Sequence, residues 1–205
     1  MRRILGMSTI ELMSCIAIIL IVSALLYPIL ASSKRSAKLS HSILALKNIY
    51  SALSMYREQQ GSVSAYGNLY SMGLPTFDMV RTTGVGLTQE AWQSPCGHPD
   101  RETFKALPPA KRPNFLIEYD YMANDSLTWE YYTLNEGDNA VLAAELNCDE
   151  HRLEFRFSPY RNYHAIGIFL GGHAKTVIRP GDPHDATFWC TVPRCVAPPP
   201  GMRKG

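Results

Sequence analysis

The chain has 205 residues; with one long apolar segment set aside, the rest makes one soluble domain of ordinary size and leaves no room for a second, catalytic one. Twenty basic and eighteen acidic side chains give a formal net charge of +2, spread over mixed stretches, so no basic face marks nucleic acid as a partner. No nucleophile elbow, phosphate loop or metalloprotease helix occurs, and scattered carboxylates such as Glu118 and Glu130 do not make a catalytic pair, so the chain does not read as an enzyme.

The first predicted element is a membrane-length helix. Residues Leu12 to Ala31 carry no charge, and at about 1.5 Å per residue they reach roughly 30 Å, the thickness of a bilayer's hydrocarbon core. A short basic stretch, Met1-Arg2-Arg3-Ile4-Leu5-Gly6, precedes it. An ordinary secretory signal would have a shorter apolar core and a cleavage site of small residues beyond it, which this segment lacks. Glu11 stands at the start of the apolar run, and an ionised carboxylate inside a membrane segment costs a few kcal/mol unless a partner meets it.

Gly6 followed by MSTIELMSCIAIILIVSALLYPIL resembles the processing segment of type IV prepilins and of type II secretion pseudopilins. That family has a basic leader ending in Gly, a cut on its far side, Glu as the fifth mature residue, and commonly a helix-loosening proline where Pro28 stands. The chain departs from it in starting the mature sequence with Met7 instead of Phe and in carrying Ser8-Thr9-Ile10 where Thr-Leu-Ile is commonest. The resemblance covers residues 1 to about 35. It implies that a prepilin peptidase cuts after Gly6 and methylates the new amino group of Met7, a cation that can pair with Glu11 of a neighbouring subunit. The bland reading of Glu11 is an anion near a helix N-terminus, favoured by the macrodipole.

Arg2 and Arg3 precede the span, and Lys34, Arg35 and Lys38 follow it, so basic residues alone do not fix orientation. The leader cut requires the N-terminus in the cytoplasm, which places the C-terminal domain in the periplasm of a bacterial inner membrane or in an extracellular filament.

Beyond Ala31 the helical pattern continues over residues 32–60. Leu39, Ile43, Leu46, Tyr50 and Leu53 form one apolar row, with Ala45, Ile49, Ala52 and Tyr56 beside it. Lys47, Ser51, Ser54 and Glu58 lie opposite, and Gly61 is the stop. Pro28 is expected to loosen or kink the helix.

Residues 61–113, rich in Gly, Pro, Ser and Thr, read as an irregular connection with a short helix or two. Residues 114–180 read as an antiparallel sheet. Phe115–Tyr121 and Leu127–Leu134 are expected to form a hairpin turning at Asn124-Asp125-Ser126, and Val141–Leu146, Leu153–Phe157 and Ala165–Leu170 are further strands. Gly171-Gly172 suits a tight turn into His173–Arg179, and residues 181–205 read as a Pro-rich tail. The expected class is α+β, a long N-terminal helix packed on an antiparallel sheet, in the manner of pilins.

A second resemblance lies in Arg161-Asn-Tyr-His-Ala-Ile-Gly-Ile-Phe-Leu-Gly-Gly-His-Ala-Lys175. It is similar to a C-terminal signature of pilin-like proteins in which His is followed, after nine residues, by Asp-Gly-His, an apolar residue and Lys. Gly172, His173 and Lys175 align, whereas Gly171 replaces the Asp and Arg161 the first His.

Of five cysteines, Cys15 lies in the apolar run. Cys96, Cys148, Cys190 and Cys195 are candidates for two disulfides of undetermined pairing if their compartment is oxidising, and for buried thiols otherwise. His98, His151, His164, His173 and His184 lie near these cysteines without tight metal-ligand spacing, so no metal is assigned. Asp149-Glu150 and Asp182 with Asp185 could hold calcium, as related pseudopilins often do, or be solvated loop carboxylates. Trp129, Tyr131, Tyr132, Tyr160, Tyr163 and Trp189 could form a binding surface or pack in the core.

The expectation is a pseudopilin or minor pilin of a type II secretion or type IV pilus assembly. Its partners are copies of itself, other pilin subunits, the prepilin peptidase, an inner-membrane assembly platform and the lipid bilayer. It has no catalytic residue, cofactor or nucleic-acid partner. The competing expectation is a membrane-anchored extracytoplasmic binding module that does not polymerise.

Overall fold

A computed structural model describes residues 9–97, 106–108, 116–148 and 162–199. Two compact units divide the chain, one up to Leu39 and the other from Ser40 onward. Helix α1, Thr9–Gln60, runs from the first unit into the second and continues through Pro28.

The first unit is that helix. Its side chains from Leu12 to Lys38 are all exposed, Ile10 and Tyr27 being 76% and 77% exposed. It contains an 18-residue stretch of mean hydropathy 2.5, long and apolar enough to cross a membrane.

In the second unit the remainder of α1 behaves as its apolar period requires. Ser42, Ala45, Leu46, Ile49, Ala52 and Leu53 are buried, and Lys47, Ser51 and Glu58 are exposed. The helix stops where Gly61 takes φ 71° and returns its N–H to the Arg57 carbonyl at 3.1 Å, a left-handed cap that glycine adopts without a Cβ penalty. The following stretch folds back: Arg57 Nε donates to the Met72 carbonyl at 2.9 Å, and Leu69, Met72, Leu74, Val80 and Trp92 are buried. Helix α2, Phe77–Thr83, begins at Thr76, whose hydroxyl accepts the Met79 N–H, and ends at Gly84 with φ 61°.

Four antiparallel strands make the described sheet, in the order β1 (Asp120–Tyr121), β2 (Val141–Glu145), β3 (Asn162–Phe169) and β4 (Ala174–Pro180). Every residue of β2 is buried, as is β3 from Ala165 onward, so the sheet centre is covered on both faces. This is why Val141–Ala144 reads as an unbroken apolar run with no polar alternation, with Glu145 buried at its end. Strand β4 is half exposed. The β3–β4 turn closes through Gly172, with φ 78° and its N–H donated to the Phe169 carbonyl at 2.8 Å.

Three expectations need correction. Leu127–Leu134 is no strand; it belongs to helix α3, Leu127–Glu136. Its aromatic and Thr-rich composition suits a strand, but Ser126 caps it by accepting the Trp129 N–H, and Trp129, Tyr132, Thr133 and Glu136 are buried at helical spacing. The expected hairpin therefore does not form, and β1 spans two residues, paired with Ala143 and Ala144 of β2. Nor are residues 181–205 simply a tail: helix α4, Ala186–Trp189, buries Phe188 and Trp189. Its Trp189 ring lies over Gly167 of β3, where an added Cβ would come within 2.7 Å of it. The expected strand Leu153–Phe157 lies outside the described residues.

Candidate functional site

Gly6 and Met7, the expected processing site, lie outside the described residues, and Glu11 falls in the first turn of α1. The surface of this part of the helix, Leu12 to Lys38, is chemically simple. Before Ala31 it carries apolar side chains, Ser14, Ser23, Pro28 and the free, exposed Cys15. Such a surface is unfavourable in water, since each large apolar side chain left exposed forgoes about 1.5–3 kcal/mol. Lipid or other apolar helices would cover it. The helix bonds its own backbone, which a membrane interior demands, except where Pro28 lacks the N–H that would meet the Ala24 carbonyl.

The second half of α1 is fastened to the domain by polar contacts as well as apolar ones. Tyr50 Oη donates to the Leu170 carbonyl at 3.1 Å, and its ring lies against the β3–β4 turn, 3.1 Å from where a Cβ on Gly172 would sit. Ser42 Oγ lies 3.6 Å from Cys148 Sγ.

The four downstream cysteines pair as Cys96–Cys148 and Cys190–Cys195. The first ties the loop before β1 to the end of β2, closing a sequence separation of 52 residues. The second closes a small loop that α3 holds from beneath. There Glu136, only 5% exposed, accepts the Thr191 N–H at 2.6 Å and the Val192 N–H at 2.9 Å, together with the Thr191 hydroxyl. Asn135 Nδ2 donates to the Cys195 and Ala197 carbonyls, each at 2.8 Å. A carboxylate that receives three donors stabilises the loop it holds. Glu136 went unnoticed in the sequence because its role depends on the helical register of α3, in which it occupies a buried position seven residues after Trp129.

Two further carboxylates are buried where α1, the loop before β1 and β2 approach each other. Glu118 Oε2 accepts the Ser94 N–H at 2.8 Å. Glu145, fully buried at the end of β2, accepts the Asn147 N–H at 2.6 Å on Oε1, while its Oε2 has no hydrogen-bond partner among the described residues. Burial raises the Glu145 pKa above its ordinary value; hydrogen bonds from Ser94 and Asn147 oppose the shift and the nearby Glu118 adds to it.

The residues considered for metal and ligand binding are dispersed or occupied. Asp149, Glu150, His98 and His151 lie outside the described residues. Asp182 Oδ1 accepts the His184 N–H and Asp185 Oδ1 accepts the Thr187 N–H, each at 2.9 Å, so both carboxylates serve turn and cap geometry. His184 Nδ1 pairs with Asp120 Oδ2 at 2.8 Å, a bond that raises the His184 pKa against the opposing effect of burial. His173 stacks on Phe169 with ring centroids 4.7 Å apart, and His164 is exposed on β3. Cys190 and Cys195 approach Glu136, but their sulfurs are joined to each other and offer no thiolate. The rings of Trp129, Tyr132, Tyr163 and Trp189 are buried, so these four are core residues and not a binding surface; Tyr160 lies outside the described residues.

Compared with known protein families, with characterised proteins and with solved structures, the chain matches none.

Proposed function

We propose that this chain is a structural subunit of a type IV filament-like assembly, a pseudopilin or minor pilin of type II secretion or of a type IV pilus. On this reading it is cut after Gly6 and held in the bacterial inner membrane by α1, with the disulfide-bearing domain in the periplasm. The observation that carries the reading is one continuous helix with two different surfaces. From Leu12 to Lys38 it is exposed and largely apolar, and from Ser42 to Leu53 it buries a face in an α+β domain. The register of Gly6 and Glu11 at the head of that helix resembles the prepilin processing segment, and the two disulfides accord with an oxidising compartment.

In the proposed mechanism the cut after Gly6 exposes the amino group of Met7, and the α1 helices of neighbouring copies pack side by side. The Met7 amine of one copy meets Glu11 of the next, neutralising a carboxylate that lipid disfavours. Pro28 removes one backbone donor from the helix interior and gives the bundle a point at which it can loosen on assembly.

Expression of the full chain with a filament machinery and its peptidase tests this. Glu11→Ala is expected to be cut normally yet to remain in the membrane without entering filaments. Normal filaments from the variant would contradict the pairing, and a chain that never polymerises in any form would favour a membrane-anchored binding module.

A further inference from the structure

Strand β4 ends the described sheet, and among the described residues no strand pairs with one of its two backbone edges. The Phe169 N–H donates to the His173 carbonyl at 3.0 Å, and the register pairs Gly167 with Lys175, Ala165 with Val177 and Tyr163 with Arg179. In an antiparallel ladder, hydrogen-bonded pairs alternate with non-hydrogen-bonded ones. The N–H and C=O groups of Ala174, Thr176 and Ile178 therefore point away from β3. Thr176 and Ile178 are exposed, Ile178 to 55%. An open edge with seven ordered residues is a template for a further strand.

A groove of about 420 Å³ runs along this strand, walled by Trp189, Cys190 and Thr191 of the α4 segment. Its charges have one sign. Lys175 and Arg179 lie on one face of β4, together with His173, and among the described residues no carboxylate lines the groove. Of the acidic groups around it, Glu136 is engaged by Thr191 and Val192, and Asp138, beside the β3–β4 turn, accepts the Tyr66 hydroxyl at 2.8 Å. Arg179 is oriented by its Nη1 bond to the Cys190 carbonyl at 2.9 Å and by the Phe188 ring beneath it, 5.2 Å from the guanidinium carbon.

We propose that the β4 edge is a docking site for an extended acidic segment of a partner protein, which adds a strand antiparallel to β4. Ala174, Thr176 and Ile178 supply main-chain hydrogen bonds, and carboxylates at alternate positions of the segment meet Lys175 and Arg179. Against a second copy of this chain stands the register centred on Val177, in which antiparallel self-pairing of β4 sets Lys175 opposite Arg179 and like charges directly across the ladder destabilise it; an acidic segment meets both cations in every register. The inference does not depend on whether the chain polymerises.

The test uses the full chain in detergent micelles and two synthetic peptides. One is acetyl-Glu-Thr-Glu-Val-Glu-Thr-Glu-amide and the other has Lys in place of every Glu. Amide hydrogen exchange is followed residue by residue. The acidic peptide is expected to slow exchange at Ala174, Thr176 and Ile178 by about tenfold or more, with Val177 and Arg179, already bonded to β3, unchanged. Lys175→Glu should weaken the effect by about fivefold, as expected for reversing one cross-strand charge pair. Should that variant disturb the Val177 and Arg179 amides, Lys175→Gln serves in its place, with the same direction and a smaller loss. Protection by the lysine peptide equal to that by the acidic one would overturn the proposal, as would no protection at millimolar acidic peptide. Lys175 and Pro180 would then only guard the edge against pairing.

Discussion

Tyr50, midway along the buried half of α1, donates its phenolic proton to the carbonyl of Leu170 at the β3–β4 turn, 3.1 Å away and 120 residues along the chain. This bond fixes the helix against the one hairpin whose turn glycine, Gly172, leaves room for the Tyr50 ring. Replacing Tyr50 by Phe keeps the ring and removes the bond. The expected loss is about 1 kcal/mol, read as a lower urea midpoint with an unchanged denaturant slope. Gly172→Ala should cost more, because it adds a Cβ against the ring and forces a left-handed φ on alanine.

Gly167 is a packing requirement of a different kind, since its φ is ordinary and the space above it is not. A Cβ there would lie 2.7 Å from the Trp189 ring and 2.9 Å from a Val141 methyl. Gly167→Ala is expected to destabilise the domain by about 1–3 kcal/mol through overpacking and to shift the fluorescence of Trp189. Adding Trp189→Phe to the variant should recover part of the loss, because the smaller ring clears the added methyl. A double variant no more stable than the single one would show that Trp189 is not the obstacle.

Glu145 should make stability depend on pH in a direction opposite to that of most carboxylates. Its folded-state pKa is raised above the unfolded value, chiefly by burial. Its contribution is therefore complete below the ordinary glutamate range and is lost as pH rises through the raised pKa. Glu145→Gln removes the ionisation and should flatten that decline. At neutral pH the variant is expected to gain on the order of 1 kcal/mol, from no longer burying a charge with one unpartnered oxygen. Urea midpoints for both proteins across the range from the ordinary glutamate pKa to mildly alkaline pH measure the difference. A parallel decline in both would assign it to another group.

The Cys96–Cys148 bridge spans 52 residues, and a loop of that length constrains the unfolded chain by about 4 kcal/mol on the chain-entropy account. The double variant Cys96→Ala, Cys148→Ala should lose much of that stability, while loss of Cys190–Cys195, which closes a far smaller loop, should cost less. Peptide mapping without reduction is expected to recover these two pairings and no other.

Much of this architecture was legible because local and tertiary signals agree. The apolar rows through Leu46, Ile49 and Leu53 and the stop at Gly61 mark the buried face and end of α1, and Gly171-Gly172 marks the last hairpin. Where the signals conflicted, the sequence misled. Trp129, Tyr131, Tyr132 and Thr133 favour a strand by composition, yet the Ser126 cap and the chance to bury Trp129, Tyr132 and Glu136 on one helical face prevail. Prolines around Phe188 and Trp189 suggest a tail, whereas the void above Gly167 gives those rings a place in the core. The disulfide pairing and the roles of Glu136 and Glu145 arise from contacts between distant segments, which periodicity cannot encode. In the candidate site, the exposed helix followed from uncharged length alone. The processing and assembly roles proposed for it rest on Gly6, Met7 and Glu11, whose chemistry involves other molecules.

The central claim, that this helix heads a processed filament subunit, is tested most directly by mass spectrometry of the N-terminus of the full chain from cells that carry a prepilin peptidase. The account predicts a chain beginning at Met7 with a methylated amino group, and an uncut chain when the peptidase is absent. A chain still joined across Gly6 and Met7 in the presence of an active peptidase would contradict it.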